Sequence, residues 1–312
     1  MVSFSLRNSK NKNAATQLTP NELIGFVYAL ESDQKIMLKE VKLRFLEETS
    51  ENTDLFDDLF FVKFLRARQF DLNKTVIMLN KYFAWRKQVN LTKVLKMNLT
   101  NIRDTLKMYY PHAFHGIDKL GRPINIERMG QSDITKLINV INHEHLTFYY
   151  IQRFEYLIHI VLPSCSLFCN KNVEQILTLV DLKGFQMNQI NSKFRCFLSA
   201  MSSLTQNYYP ETLGKLIFVN ASPVFTAIWS VISTLVDKKT LSKISVVSAK
   251  TDLKSKILEI VDEDQLPQFL GGTRSDENWC TTPFGPWNDE SILHKLKQRT
   301  YIQEDLYNLE YL

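Results

Sequence analysis

The stretch LIFVNASPVFTAIWSVISTLV, Leu216 to Val236, runs 21 residues without a charge. By length it suits a transmembrane span. Its interior argues otherwise. Asn220, Ser222 and Pro223 interrupt it directly after the β-prone run LIFV, the pattern of strand, turn, then helix. Pro223 falls in the first helical turn, where its missing N–H costs nothing. Beyond it, Phe225, Ile228, Trp229 and Ile232 recur at i, i+3, i+4 and i+7, one continuous apolar stripe. Thr226, Ser230 and Ser233 lie opposite, also uncharged. A buried strand feeding an unusually apolar helix is expected, with no membrane span.

Outward from this pair, three more strands stand out. Ile124–Arg128 alternates after a turn at Ile117–Pro123, and Ile176–Val180 and Ile244–Val247 are short apolar runs. Helical patterns separate the last three strands; in one, Ile190, Phe194, Phe197, Met201 and Leu204 repeat every three to four residues. Strands alternating with helices imply βαβ crossovers, hence an α/β fold with a mostly parallel sheet. The segment from about Ile141 to Leu162 is apolar on nearly every face, so it is expected to be a helix that is buried all round or lies between the sheet and a ligand.

The flanks differ. Residues 1–20 are polar, with Arg7, Lys10 and Lys12, and read as a disordered basic tail. Residues 21–100 carry helical periodicity and no strand signal. Asp71 is a good N-cap for LNKTVIMLNKYFAWRKQ, and Leu59, Val62, Phe64 and Leu65 mark a core side just before it. An all-helical N-terminal module is expected there, then the α/β domain over 101–275. Residues 276–312 form a peripheral extension, with a helix through Ile292, Leu296 and Tyr301.

Composition narrows the function. Hydrophobic residues are 45% and charged residues 23%, ordinary for a globular chain. A net charge of +5 falls short of a nucleic-acid binder's basic stripe. With only 9 glycines, the chain contains no Walker, dinucleotide or nucleophile-elbow motif. Cys165, Cys169, Cys196 and Cys280 follow no zinc spacing and read as reduced thiols. His143-Glu144-His145 is no metal site, because i and i+2 do not face one another on a helix. The first residues have no apolar signal region, so a cytoplasmic protein is expected.

Three patches carry more: Phe64–Asp71 (FLRARQFD), Asn207–Glu211 (NYYPE) and Asp237–Lys243 (DKKTLSK). With Asp118–Pro123 (DKLGRP), Val180–Gly184 (VDLKG) and Leu266–Gly272 (LPQFLGG), they make six short motifs in one order and spacing. Together these resemble the CRAL-TRIO lipid-binding family, and within it the SEC-fourteen-like phosphatidylinositol transfer proteins. The resemblance spans roughly Glu40 to Thr273. It implies an all-helical module followed by a CRAL-TRIO α/β domain whose mostly parallel sheet floors an apolar lipid cavity. Pro223–Val236 would be its gate helix, touching membrane through Phe225, Ile228, Trp229 and Ile232, and Ile141–Leu162 would line the cavity.

The resemblance further implies that Arg66, Glu211, Asp237, Thr240 and Lys243 bind a phosphoinositide headgroup. Arg and Lys suit a phosphodiester, and Glu, Asp and Thr suit ring hydroxyls. Thr212 stands where this branch often has Arg. Members that also carry phosphatidylcholine cage its choline with tyrosines, a glutamate and a Ser-x-Thr pair. The tyrosine positions here are Phe114, Asn125 and Phe154, the glutamate position is Arg128, and of the pair at Ile176 and Thr178 only Thr178 survives. The expected function is binding and transfer of phosphatidylinositol by a monomeric, non-enzymatic protein that visits anionic membrane surfaces. Neither metal nor cofactor is expected, the phospholipid being the ligand. The alternatives are a carrier of a tocopherol- or retinoid-like isoprenoid, which the Arg66/Glu211/Lys243 set disfavours, and a membrane-recruitment module with structural lipid.

Overall fold

The computed structural model describes residues 26–50, 55–186, 189–233, 238–282 and 284–298. The expected basic tail, Asp237 and Tyr301 lie outside them. Six helices come first: α1 (Ser32–Arg44), α2 (Leu46–Thr49), α3 (Asp58–Ala67), α4 (Leu72–Val89), α5 (Leu91–Leu95) and α6 (Thr100–Tyr109). Carboxylates start α3 and α4, where Asp57 accepts the Phe60 N–H at 2.9 Å and Asp71 the Lys74 N–H at 3.0 Å. Asn90 ends α4 with φ of 50°, a left-handed cap. The module's core is aromatic: Phe60, Phe64, Tyr82 and Phe83 meet edge-on or tilted.

The remainder alternates: β1 (His112–Ile117), β2 (Pro123–Glu127), α7 (Ile134–Val140), α8 (His143–Tyr156), a π-helical turn (Leu157–Val161), α9 (Leu162–Cys169), β3 (Ile176–Asp181), α10 (Ser192–Tyr208), β4 (Leu213–Ala221), α11 (Pro223–Ile232), α12 (Lys238–Leu241), β5 (Ile244–Ser248), α13 (Leu253–Leu258) and α14 (Glu290–Lys297). The sheet runs β1-β2-β3-β4-β5, antiparallel at the first pair and parallel afterwards. The decisive stretch is strand, turn and helix as expected: Ser222 Oγ accepts the Phe225 N–H at 3.2 Å and Pro223 opens α11. Among the described residues no helix is long and apolar enough to cross a membrane.

Three expectations are corrected. β1 was not foreseen; its six residues are all buried, so no alternation marks it, and it pairs back onto β2 through the Asp118–Arg122 turn. The Asp118 carboxylate accepts the Leu120 and Arg122 N–H groups at 3.0 and 2.8 Å, and Gly121 takes φ of +77°. The Ile141–Leu162 segment is helical only from His143, which Asn142 caps, and a π turn at Leu157–Val161 carries it on into α9. Its burial extends to Gln152, Arg153 and Glu155. The C-terminal helix is no peripheral addition, because Trp287 and Leu296 are buried in the main core beside α9.

Strand alternation gives the sheet two faces. Ala113, Ile124, Ile126, Leu177, Leu179, Ile217 and Val219 pack against Ile257, Val261, Leu266, Leu270 and Trp279. On the opposite face, Phe114, Asn125, Thr178, Leu216 and Ile244 lie in one row across the strands. The next row is His112, Glu127, Val180, Phe218 and Val246.

Candidate functional site

The parallel strands begin where several predicted residues converge. Glu174 precedes β3, Glu211 precedes β4 and Lys243 precedes β5. Arg66, at the end of α3, reaches into this edge. Its Nη1 donates to Glu174 at 2.7 Å, its Nη2 to Glu211 at 3.3 Å, and its guanidinium lies 4.3 Å over the Phe26 ring. Lys243 Nζ lies 3.8 Å from the same Glu211 oxygen and donates to the Leu213 carbonyl at 2.9 Å. Glu211 holds this pose with φ of 59°, uncommon for a non-glycine residue. The Thr240 carbonyl accepts the Lys243 N–H at 3.0 Å.

Arg66, Glu211 and Lys243 therefore form one cluster, with Thr240 a turn away. Asp237 lies outside the described residues. Thr178 is elsewhere, buried in mid-β3 between Asn125 and Leu216. Glu174 was missed by sequence reasoning. Burial pushes its carboxyl pKa up against the pull of Arg66 and Lys63, and its Oε1 has no hydrogen-bond partner.

The other motif residues tie the helical module to the α/β domain. Tyr208 stacks on Trp85 with centroids 4.0 Å apart. The Tyr209 hydroxyl donates to Glu155 at 2.9 Å, and Arg86 donates to Tyr82 at 2.7 Å. Arg86 also lies 3.6 Å from Glu155.

Arg128, expected at the choline position, does not face the open side of the sheet. Side chains 125 and 127 share the open side of the sheet, so 126 and 128 point away. Arg128 accordingly sits 3.7 Å from Asp181 and 4.1 Å over Phe269, which packs against the closed face. The cation on the open side is Arg153 instead, 5% exposed. It donates to Asn125 at 2.7 Å and lies 4.1 Å over Phe114. Asn125 donates in turn to Glu127, which also accepts the Tyr110 hydroxyl. Nearby, burial and Arg153 push His112 down to about 3. Phe154 stacks on Tyr209 at 4.8 Å.

Past Thr178 the floor is apolar and incompletely covered. Leu216, Phe218, Ile244 and Val246 are half-buried. α11 covers Phe218 with Phe225, centroids 5.1 Å apart, and Trp229, 5.4 Å apart. Phe225, Ile228 and Trp229 are half-buried while Val224, Thr226, Ala227 and Ser230 are exposed, the predicted division. The side chain of Ile232 lies outside the description. His143 and Glu144 are exposed, the four cysteines are free, and no group among the described residues has the makings of a metal site.

A helical module docked on a sheet with one incompletely covered face and a half-buried apolar helix over it defines a ligand-enclosing class of fold. The CRAL/TRIO domain matches residues 107–272 and the CRAL/TRIO N-terminal domain residues 37–81. The chain belongs to the CRAL/TRIO family. It is 36% identical over 239 residues to the phosphatidylinositol/phosphatidylcholine transfer protein SFH12 of Arabidopsis thaliana, covering 75% of this chain and 44% of that one. It is 31% identical to the Sec14 cytosolic factor of Schizosaccharomyces pombe, covering 88% of this chain and 95% of that one. The chain thus spans less than half the length of the Arabidopsis relatives SFH12, SFH7 and SFH9. The crystal structure of Sfh5 shares the fold, with a TM-score of 0.58 at 19% identity, over 86% of this chain and 97% of that one.

Proposed function

We propose that this chain binds phosphatidylinositol in a cavity floored by β4 and β5 and closed by α11, and carries it between membranes. The observation that carries this is the half-buried floor of Leu216, Phe218, Ile244 and Val246 under α11, bordered at its strand-start edge by the Arg66/Glu211/Lys243 cluster. Two acyl chains hold about 30 methylenes at roughly 0.8 kcal/mol each, so a phospholipid crosses water only when enclosed. Passage from bilayer to apolar cavity is nearly neutral, and selectivity rests on the headgroup contacts.

In this assignment the phosphate meets Lys243, whose side chain is partly exposed. Arg66, already held by two carboxylates, fixes Glu211 for the ring hydroxyls. Asp237 and Thr240 complete the headgroup set. Phosphatidylcholine is disfavoured, because its ammonium would meet the buried Arg153 guanidinium. The protein acts as a monomeric carrier rather than a catalyst, cytoplasmic and transiently bound to anionic membrane surfaces through α11. The phosphatidylinositol transfer for which the SFH relatives are named supports this assignment, as does the length match to the Sec14 cytosolic factor.

Native mass spectrometry of co-purified lipid, with transfer between liposomes, tests it. Phosphatidylinositol should be the bound species, and phosphatidylcholine should compete far more weakly. Lys243→Ala should lower transfer at least tenfold at unchanged melting temperature, the loss of a charge-assisted contact of about 1.5–3 kcal/mol. A bound isoprenoid, equal loading of the two phospholipids, or full transfer by Lys243→Ala overturns it. Tight lipid without transfer points to the recruitment module instead.

A further inference from the structure

Arg153 projects from α8 toward the sheet, and only part of its guanidinium is satisfied. The residue is 5% exposed. Its Nη2 donates to Asn125 at 2.7 Å, whereas Nη1 is shut off from water and has no hydrogen-bond partner. Among the described residues no carboxylate stands within ion-pairing distance of Arg153, although Arg66, Arg86, Arg122 and Arg128 each have one. The acid in its network, Glu127, is only partly buried, and its two oxygens already accept from Asn125 at 2.7 Å and from the Tyr110 hydroxyl. The neighbouring rings supply no counter-charge. Burial raises the Tyr110 and Tyr150 hydroxyls well above their usual range and, with Arg153, lowers His112 to about 3, so all three are neutral at pH 7. A buried guanidinium N–H without an acceptor is costly, and native structures seldom keep one.

The incompletely covered part of the open face comes up to this point. Thr178 pairs with Asn125 across β2 and β3 and lies between it and Leu216. Among the described residues the Thr178 hydroxyl has no hydrogen-bond partner and, unlike Arg153 Nη1, is not sealed from water. The space over Leu216 and Phe218 therefore ends at Thr178, one strand spacing of about 4.8 Å from Asn125. Beyond it the wall is solid, with His112, Tyr149, Tyr150 and Phe197 in successive ring contact.

We propose that Arg153 and Thr178 form a second headgroup site, which takes the phosphate of a phospholipid whose headgroup ends there, a phosphatidate. One phosphate oxygen accepts from the Thr178 hydroxyl and another reaches Arg153 Nη1, a charge-assisted pairing that arginine favours. The packed rings leave no space behind the phosphate for an esterified base. The acyl chains lie over Leu216, Phe218, Ile244 and Val246, the floor already assigned to phosphatidylinositol, so the two lipids exclude one another. The site rests on the lipid-carrier assignment, but its headgroup contacts are separate. Arg66, Glu211 and Lys243 stand at the strand-start edge, and Thr178 stands in mid-strand.

The test is competitive loading of the full chain from liposomes holding equal amounts of dioleoyl phosphatidylinositol, phosphatidate, phosphatidylserine and phosphatidylcholine, read by native mass spectrometry. Because all four lipids share one liposome, surface attraction favours none of them. Wild type should load phosphatidate about tenfold over phosphatidylcholine and phosphatidylserine, the scale of one charge-assisted contact. Arg153→Gln and Thr178→Val should each lower the ratio of phosphatidate to phosphatidylcholine severalfold. Phosphatidate loaded no better than phosphatidylcholine, in a wild type that loads phosphatidylinositol, overturns this site alone, whereas no phospholipid loaded at all overturns the carrier assignment. Equal ratios in wild type and both variants, or equal loading of phosphatidate and phosphatidylserine, also overturn the site. Should Arg153→Gln fail to fold, the nearly isosteric Thr178→Val carries the comparison.

Discussion

The two faces of the sheet come from the same alternating strands and end in different states. On one, Ile124, Ile126, Leu177, Leu179 and Val219 are fully out of water beneath α13 and the Leu266–Leu270 turn. On the other, the β1–β3 half is filled by α6, α8 and α10, while Leu216, Phe218, Ile244 and Val246 remain half-buried under α11. Over β4 both faces are apolar, Ile217 and Val219 on one and Leu216 and Phe218 on the other, so hydrophobicity does not distinguish them. Coverage does. A filled face stores stability, whereas an incompletely filled one under a single uncharged helix leaves room for a guest.

The sharpest way to break this contrast is a matched pair of truncations. Leu177→Ala, on the closed face, should cost about 3–4 kcal/mol in urea unfolding, the usual range for a buried leucine that leaves a cavity. Leu216→Ala, one residue row away on the open face, should cost under about 1.5 kcal/mol because its side chain is already partly exposed. Its effect should fall on lipid loading instead. Equal losses of stability would mean that both faces are ordinary core.

Acid should reveal the filled half of the open face. His112 Nδ1 donates to the Tyr110 carbonyl at 2.7 Å, so Nε2 accepts from the Tyr149 hydroxyl at 3.0 Å. Burial lowers its pKa from 6.5 to about 3. Below pH 6.5 the unfolded chain takes up a proton that the folded one refuses, so this contribution is intact above 6.5 and lost as pH falls toward 3. Between pH 6.5 and 5 His112 should account for about 2 kcal/mol, at about 1.4 kcal/mol per unit. Urea midpoints at pH 7 and 5 should therefore converge in His112→Asn relative to wild type. A residual slope should remain from His115, which burial lowers to about 4. An unchanged slope would show that His112 is hydrated.

The smallest effect on stability is expected at α11. Phe225→Ala with Trp229→Ala should destabilise by about 1 kcal/mol, since both rings are half-exposed. Transfer should slow severalfold, and Trp229 fluorescence in wild type should shift to the blue with anionic liposomes, as an indole entering the bilayer interface does. A large drop in melting temperature with no liposome signal would make α11 a core helix and close the open face.

The α/β class, four of the five strands and the amphipathic division of α11 were legible because each rests on local periodicity and turn chemistry. β1 was not, because a strand buried on both sides carries no alternation, and HAFHGI has too few β-branched residues to stand out. Arg66, Glu211 and Lys243 were legible as a set through their motifs, and their convergence follows from two strand starts meeting one helix end. Their pairings were not: Glu174 claims the shortest bond to Arg66, and only the fold brings residues 108 apart together. Arg153 was hidden for a related reason. Which face a strand residue serves depends on register, so Arg128 was credited with a place that an arginine on α8 holds. The sequence by itself determined which segments would be strands, helices and turns, since those depend on neighbours a few residues away. The tertiary structure alone decided which apolar face was filled and which left open, and which buried charges found partners, because burial and pairing depend on groups distant in the chain.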